Sequence, residues 1–379
     1  MRRRALLLAV LLTVVPAPAD AAEPEPWITG LRFPVNMAWA PDGMLFFAEK
    51  ETGDVQVVVD GALSPAPVTH VDVGVTFETG LLGIAVHPEW PDEPWVYLYY
   101  SDPSDGINRL IRVRIEEQRE VTRETLLDGL PTAAAYHNGG DMLFGPDGML
   151  YLTVGEAHEA ERAQDPADLG GKVLRLTPEG EIPADNPIAG SPTFTLGHRN
   201  SFGICVDPAT GVVWETENGP GGGDEVNRLV AAANYGWPEG MGPLPDDRYT
   251  DPVVFFPETV VPTGCAVWRG SLYVATYDDG ILRRISIDPP GAQRSRVAAF
   301  GEPLFDLVVG PDDLLYASTG TAIWRFDSPP ERAEPDQGAI AGADGTPGGE
   351  GTEAWVFVSI GAALAVTLAI TLLFAGRRR

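Results

Sequence analysis

The hydrophobic pattern of this chain is a repeated one, in which a polar turn precedes a short apolar run. Each turn contains Pro, Asp or Gly, and each run is rich in β-branched and aromatic residues. This combination is typical of a β-hairpin, in which a tight turn reverses the chain. Six such segments occur: APDGMLFFAE (40–49), HPEWPDEPWVYLYYS (87–101), GPDGMLYLTVGE (145–156), DPATGVVWETENG (207–219), WRGSLYVATYDDG (268–280) and GPDDLLYASTG (310–320).

The spacing of these six segments predicts the architecture. They follow one another at roughly 40 to 60 residues, which suits a repeated blade of four strands. Little of the chain between them has helical periodicity. We therefore predict an all-β fold, a six-bladed β-propeller, with loops on two faces and ligand sites where the central channel opens. A pair of β-sandwiches is the competing architecture, and it explains the even repeat less well.

The two ends of the chain lie outside this repeat. Residues 1–21 combine a basic start, an apolar run and a small-residue site, which predicts a secretory signal peptide, with an uncleaved anchor as the alternative. Residues 354–376 carry no charge and can cross a bilayer of ~30 Å as one helix. Residues 377–379 are a basic tail, expected on the cytoplasmic side. Residues 328–353, rich in Pro, Gly and acid, predict a flexible linker. The propeller, residues 24–327, is therefore expected outside the cell, held at the cell membrane by a single span.

Composition narrows the possible partners. The formal net charge is −28, and Lys50 and Lys172 are the only lysines. Such a surface repels nucleic acid, so no nucleic-acid partner is expected. It also repels an acidic ligand unless arginines gather locally. The two cysteines, Cys205 and Cys265, permit one disulfide in an exported protein and fit two buried thiols equally well.

Two polar stretches carry side chains suited to a reacting ligand. His137 lies just ahead of two glycines, and its imidazole is a suitable base for an alcohol proton. A loop histidine bonded to backbone is the alternative. Arg199 and Asn200 combine a fork of donors with an amide, which suits a carbonyl or carboxylate oxygen. An arginine that ties two blades together fits the same residues.

A third stretch, ENGPGGGDEVN (217–227), offers oxygen ligands. Backbone carbonyls in its Gly-rich part can turn toward a ligand, and Asp224 and Glu225 follow. Carbonyl and carboxylate oxygens are the ligands that Ca²⁺ prefers. The alternative is a tight loop between blades with solvated acids.

Taken together, these motifs resemble those of the glucose/sorbosone dehydrogenase family, which includes the soluble-type PQQ-dependent aldose sugar dehydrogenases. The resemblance covers most of residues 26–325 and implies a six-bladed propeller. It also implies an oxidoreductase that oxidises the C1 hydroxyl of a sugar, or a related polyol, by hydride transfer to PQQ. Ca²⁺ is then a second cofactor, and the electrons leave to an external acceptor. The motifs are GLLGIAVHPEW (80–90), HNGGDMLFGPDGMLYLTVGE (137–156), GKVLRLTPEGEIPADNPI (171–188), TLGHRNSFG (195–203), ENGPGGGDEVN and NYGWP (234–238).

The resemblance implies roles for individual residues around the quinone. His137 matches the general base that takes the proton from the sugar hydroxyl. Arg199 matches the arginine that polarises the quinone carbonyl, and Asn200 matches a cofactor contact beside it. Gly219 and Pro220 match the carbonyl ligands of the Ca²⁺ that holds PQQ.

Further residues match the family with small changes. Glu225 and Tyr235 match a structural calcium site, to which Tyr235 contributes its backbone carbonyl. Glu78 and Asn218 stand at cofactor-contacting positions, where the family often has glutamine at the first and glutamine or histidine at the second. Thr259 matches a polar cofactor contact.

The remaining departures from the family pattern matter because both PQQ and this protein carry many acidic groups. Glu156 matches an acid near the sugar, on a longer arm. Pro303 and Phe305 occupy positions where the family has arginines that hold the carboxylates of PQQ, and Asp278 lies in a loop that carries a lysine in the best-known members. Unpaired buried carboxylates are costly. Three arginines on neighbouring strands could compensate: Arg269, Arg283 and Arg284.

This missing clamp keeps a second function open. A non-catalytic propeller of the same family would bind a glycan or a protein partner and keep at most a structural calcium. A metal-dependent lactonase on a similar propeller is a third hypothesis. It requires acidic ligands that converge on the channel, and the strongest polar stretches of this chain are not of that kind.

Overall fold

Six β-sheets, each built mainly from antiparallel strands in chain order, make up the computed structural model, which describes residues 24–132, 136–328 and 334–336. The innermost strands of successive sheets pack against one another, and that of the sixth packs against that of the first. The ring is a six-bladed propeller, so the predicted fold is confirmed and the paired sandwich is not. The predicted signal peptide, residues 1–21, and the predicted span, residues 354–376, lie outside the described residues.

The first three blades follow a short leading strand, β1 (Glu25–Thr29). Blade 1 contains β2 (Pro34–Trp39), β3 (Leu45–Glu49), β4 (Asp54–Val59), β5 (Ala62–Leu63) and β6 (Thr69–His70). Blade 2 contains β7 (Leu81–Val86), β8 (Trp95–Asp102), β9 (Ile107–Glu116) and β10 (Arg119–Leu130). Blade 3 contains β11 (Gly139–Phe144), β12 (Leu150–Val154), β13 (Lys172–Leu176) and β14 (Thr193–Leu196).

The second half of the ring repeats the pattern. Blade 4 contains β15 (Ser201–Val206), β16 (Val213–Glu217), β17 (Asp224–Arg228) and β18 (Val254–Phe256). Blade 5 contains β19 (Pro262–Trp268), β20 (Ser271–Thr276), β21 (Ile281–Ile287), β22 (Pro290–Ala299) and, at its edge, β26 (Glu334–Pro335). Blade 6 contains β23 (Leu304–Val309), β24 (Leu315–Thr319) and β25 (Ala322–Phe326).

Helical structure in the described part of the chain is confined to one short 3₁₀ helix, Ala160–Gln164. No helix within those residues is long and apolar enough to span a membrane.

The six turn-and-run segments of the sequence become the second strand of each blade, namely β3, β8, β12, β16, β20 and β24. These strands are almost entirely buried, because blades cover both of their faces. Two covered faces explain a continuous apolar run in place of strict alternation.

The first strand of the chain closes the ring. Strand β1 pairs antiparallel with β25 and completes blade 6, whose other strands come from the far end of the propeller. Joining both ends in one sheet covers an edge that would otherwise be open to other strands.

Polar side chains on the innermost strands bind neighbouring blades together around the axis. In each blade, the pairing of the innermost strand with the second strand has one shift of register. Such a shift is typical of a β-bulge, which changes the direction of a side chain. At three of these positions a side-chain oxygen accepts a backbone N–H of another blade: Asn36 Oδ1 from Ile84 (2.8 Å), Asp141 Oδ2 from Ile204 (2.8 Å) and Asp306 Oδ2 from Met37 (2.7 Å).

A disulfide adds a covalent link between blades 4 and 5. Cys205 on β15 and Cys265 on β19 are bonded, with their Cα atoms 5.6 Å apart. The two cysteines are therefore a bridge and not a pair of free thiols.

Candidate active site

His137 lies in the loop that enters blade 3, next to β11, and both its backbone and its ring are held. Its φ of +62° is in the left-handed region, which is uncommon for a residue with a side chain. Its backbone N–H donates to Glu78 Oε2 at 2.7 Å. The side chain is buried and stacks on His158, with ring centroids 4.1 Å apart.

Glu156 orients the imidazole. Its Oε1 lies 2.8 Å from His137 Nδ1, and both side chains are buried. Because an ionised carboxylate only accepts hydrogen bonds, Nδ1 carries the proton and Nε2 keeps its lone pair. The sequence predicts Glu156 beside a sugar, and the structure shows it on the histidine. Its second oxygen, Oε2, is buried without a hydrogen-bond partner among the described residues.

Arg199 and Asn200 lie beside this pair, just before β15. Arg199 Nη1 donates to the Asn218 carbonyl at 3.1 Å, and its guanidinium lies over the Trp237 ring at 5.5 Å. The Arg199 carbonyl accepts the Glu156 N–H at 2.9 Å, which joins blades 3 and 4.

Glu78 connects the two halves of the site. Its Oε2 accepts from Asn200 Nδ2 at 3.2 Å and also from the His137 N–H. The other amide atom, Asn200 Oδ1, accepts the Gly139 N–H at 3.2 Å. The structure thus brings together five of the candidate site residues, His137, Glu156, Arg199, Asn200 and Glu78.

A cavity of about 280 Å³ opens next to this group. Its walls are largely aromatic and aliphatic, with a few polar groups, which is the usual character of a small-molecule site. Glu78 and Asn218 line it. His137 and Arg199 do not, but His137 donates its backbone N–H to Glu78 and Arg199 donates to the Asn218 carbonyl. The lining residues are Phe33, Val35, Lys50, Glu51, Val75, Thr76, Phe77, Glu78, Phe202, Asn218, Val261, Thr263, Tyr277 and Phe305.

The predicted calcium loop adjoins the same cavity through Asn218. Asp224 accepts the N–H groups of Gly219 (2.9 Å), Val260 (2.7 Å) and Val261 (2.8 Å), so this acid fastens the loop and is not a free ligand. Within the described residues, the carbonyl oxygens of Gly219 and Pro220 accept no hydrogen bond. Thr259, half-buried in the facing loop, is not part of the cavity lining.

Glu225 belongs to a buried acidic cluster on β16 and β17. Asn227 Nδ2 lies 2.9 Å from Glu215 Oε2, 3.3 Å from Glu217 Oε2 and 3.4 Å from Glu225 Oε2. Burial raises the pKa of Glu215 to about 7 and the pKa of Glu217 to about 8, and it raises the pKa of Glu225 well above its usual range. Glu215 Oε1 and Asn227 Oδ1 have no hydrogen-bond partner in the described part of the chain.

His198 and Tyr235 complete this cluster. His198 Nδ1 lies 2.9 Å from Glu217 Oε2, and burial lowers the pKa of His198 to about 4. Ligand atoms of His198, Glu215 and Glu217 all lie within 4.8 Å of one another, a spacing that suits a metal ion. The Tyr235 ring stacks on His198 at 4.8 Å. The sequence analysis predicts Glu225 and Tyr235 as site residues but not Glu215 and Glu217. Glu215 and Glu217 alternate along β16 and therefore lie on one face of the strand, which is the sequence signal that could have identified them.

The positions at which the resemblance implies a basic clamp carry apolar residues, as the sequence shows. Phe305 lines the cavity and packs on Phe33, with ring centroids 4.5 Å apart. The three arginines that could compensate do not line this cavity. Arg283 pairs with Asp279 and Asp336, Arg269 pairs with Asp313, and Arg284 lies beside the Tyr273 side chain.

Comparisons with known proteins identify relatives of the same architecture. Residues 31–323 match the family described as Glucose / Sorbosone dehydrogenase. A structure from Thermus thermophilus, described as an oxidoreductase (glucose dehydrogenase), is 38% identical with a TM-score of 0.76, over 80% of this chain and 99% of that one. The PQQ-bound aldose sugar dehydrogenase of Streptomyces coelicolor is 30% identical with a TM-score of 0.74, over 81% of this chain and 99% of that one. The aldose sugar dehydrogenase of Escherichia coli K12 is 27% identical, over 76% of this chain and 87% of that protein.

Proposed function

The chain belongs to the glucose/sorbosone dehydrogenase family, and on that premise we propose that it is a PQQ- and calcium-dependent sugar dehydrogenase. It oxidises the C1 hydroxyl of an aldose, or a related polyol, and its electrons pass to an external acceptor. We further propose that residues 354–376 anchor it in the cell membrane with the propeller on the extracytoplasmic side. The observation that carries the proposed activity is the His137–Glu156 pair, which lies beside Arg199 and Asn200 at the edge of a largely apolar cavity.

The polar groups around the cavity fit a quinone and a calcium ion. The Gly219 and Pro220 carbonyls, which accept no hydrogen bond within the described residues, are suitable ligands for a hard cation. Arg199, Asn200 and Asn218 would hold the polar edge of the quinone, with Thr259 beyond them. When bound, PQQ supplies a two-electron acceptor and Ca²⁺ supplies Lewis acidity.

The chain's own chemistry centres on one proton. His137 Nε2, with its lone pair kept free by Glu156, accepts the proton of the substrate hydroxyl. The buried Glu156 carboxylate then stabilises the imidazolium, as in a nucleophile-activating triad. Glu78 holds the loop of His137 and the amide of Asn200 in one arrangement, so the base keeps a fixed position relative to the quinone-binding groups.

A second cation at the acidic cluster is part of the same proposal. Glu225 and Tyr235 would hold it, and the partnerless oxygens Glu215 Oε1 and Asn227 Oδ1 are further donors. A bound cation would offset the mutual repulsion of buried carboxylates. Its role is structural, because the cluster lies outside the lining of the cavity.

Reconstitution of the purified full chain tests the proposed function. Addition of PQQ and Ca²⁺ should change the quinone absorbance and give dye reduction with a panel of aldoses. A sample with Ca²⁺ removed by chelation is the control and should show neither effect. Absence of both effects in the calcium-loaded sample would contradict the proposed function.

A non-catalytic propeller is the second candidate, favoured by the apolar wall at Phe305. Without arginines on that wall, the cavity offers fewer partners to an acidic cofactor. Such a protein would bind a glycan or a protein partner through the same mouth. Glycan binding in the absence of PQQ, with no quinone binding at any calcium concentration, would support this second candidate.

A further inference from the structure

Lys50 is a buried cation in the wall of the cavity. It follows β3 in blade 1, is 6% exposed, and its Nζ lies 5.3 Å from the centre of the Phe33 ring. It forms no ion pair within the described residues. Lys172 is also buried, but its Nζ donates to three backbone carbonyls, those of Arg162 (2.6 Å), Ala163 (3.2 Å) and Gly170 (2.7 Å).

The acids that act on Lys50, Glu51 and Glu78, form no ion pair with it within the described residues. Glu78 uses Oε2 to hold His137 and Asn200, and Glu51 is exposed at the rim. Burial lowers the pKa of Lys50, and the charges of Glu51 and Glu78 oppose this only in part. Burying an ammonium without a counter-ion is costly, and such a group gains most from an anionic ligand.

The surrounding walls indicate what kind of anion would enter. Phe33, Phe202, Phe305 and Tyr277 line the cavity around Lys50. Aromatic and apolar walls favour a planar ring system, and an ammonium favours a carboxylate attached to it. A small inorganic anion would satisfy the charge but leave the aromatic walls without a contact.

We infer that Lys50 is a cofactor-binding residue that pairs with a carboxylate of a planar aromatic quinone in this cavity. The inference rests on the proposed function and deepens it. Phe305, at a position where the resemblance implies an arginine, lines the same cavity as Lys50. Blade 1 thus provides the cation that blade 6 does not.

The test measures cofactor binding rather than turnover. The full chain with Ca²⁺ is titrated with PQQ and with its trimethyl ester, and binding is followed by quenching of protein fluorescence. Lys50→Met should weaken PQQ binding by about tenfold to a hundredfold, the usual contribution of a hydrogen bond to a charged group, and leave ester binding unchanged. Lys50→Arg should retain the preference for the free acid. Arg32→Met, which removes an exposed cation that does not line the cavity, is the matched control and should not weaken PQQ binding.

Two outcomes would overturn the inference. The first is equal weakening toward PQQ and the ester, which indicates a general disturbance of the cavity. The second is a Lys50→Met variant that binds PQQ as tightly as the wild type. A raised KM for glucuronate relative to glucose in that variant would assign the carboxylate to the substrate. A wild-type chain that binds neither quinone would contradict the proposed function itself.

Discussion

At the scale of single residues, His137 shows how backbone and side chain act together. A left-handed conformation costs a residue with a side chain roughly 1–3 kcal/mol, and it persists only where neighbours enforce it. Here Glu78 holds the backbone N–H and Glu156 holds Nδ1. Two acids from different parts of the ring therefore fix the orientation of the imidazole and of its other nitrogen, Nε2.

Replacing this histidine tests its role as a base. His137→Ala should lower kcat by about a hundredfold or more, in keeping with the usual contribution of a general base. The affinity for PQQ should stay within about threefold, because Arg199, Asn200 and Asn218 are expected to hold the quinone. Steady-state kinetics and a quinone titration measure the two effects. The assignment is wrong if the variant retains wild-type turnover.

Glu156 should act through His137 and not through the substrate. In Glu156→Gln the amide can donate to Nδ1, which favours the tautomer that has its proton on Nε2. We expect kcat to fall by about a hundredfold or more with little change in KM, because a wrong tautomer removes the base without removing binding. An acid that contacts the sugar would instead raise KM. Glu159→Gln, an exposed acid close by, is the control and should leave both constants unchanged.

At the scale of elements, the disulfide joins the innermost strands of two neighbouring blades. It connects β15 and β19 and closes a loop with a sequence separation of 60 residues. The sequence could not decide between bridge and thiols, because the answer depends on these two strands lying side by side. Their adjacency follows from the ring of blades and not from any local pattern.

Removing this bridge should destabilise the propeller. The Cys205→Ser/Cys265→Ser double variant is expected to lose about 2–4 kcal/mol in the free energy of unfolding, mainly because its unfolded chain is less restricted. Urea unfolding with and without a reductant measures the change. Reductant should destabilise the wild type and have no effect on the double variant. Equal reductant sensitivity of the two proteins would contradict the prediction.

At the scale of the whole molecule, local patterns predict what lies within one blade and miss what lies between blades. The second strands were predictable because a turn and an apolar run mark each of them. Strand β10 was not, because most of its residues are exposed and polar. Likewise His137 and Arg199 stand in motifs, whereas the contacts of Glu78 with His137 and Asn200 and the cavity position of Lys50 depend on how blades are placed around the axis.

Two buried carboxyl groups near the propeller axis should make the free energy of unfolding depend on pH. Asp141 and Asp306 are buried at the bulges of β11 and β23, and Asn36 Nδ2 donates to Asp141 Oδ1 at 2.8 Å. Burial raises the pKa of Asp141 to about 6, and burial together with the charge of Asp141 raises the pKa of Asp306 well above its usual range. A carboxyl whose pKa is higher in the folded state binds more protons there than in the unfolded chain. Its contribution is therefore complete below about pH 4 and is lost as the pH rises through about 6.

The comparison of wild type with Asp141→Asn measures the effect of this interacting pair of carboxyl groups, because titrating groups other than Asp306 largely cancel in the difference. The stability of the wild type relative to the variant should fall by roughly 2–3 kcal/mol between pH 4 and pH 7, most of the free energy that corresponds to a pKa change from 3.8 to about 6. Urea unfolding at a series of pH values measures it. Asn36→Ala removes the hydrogen bond from Asn36 Nδ2 to Asp141 but removes no titrating group. The free energy of unfolding of Asn36→Ala should therefore still fall as the pH rises, whereas that of Asp141→Asn should not show this fall. A pH-independent difference between wild type and Asp141→Asn would mean that Asp141 stays ionised in the folded protein despite its burial at the axis.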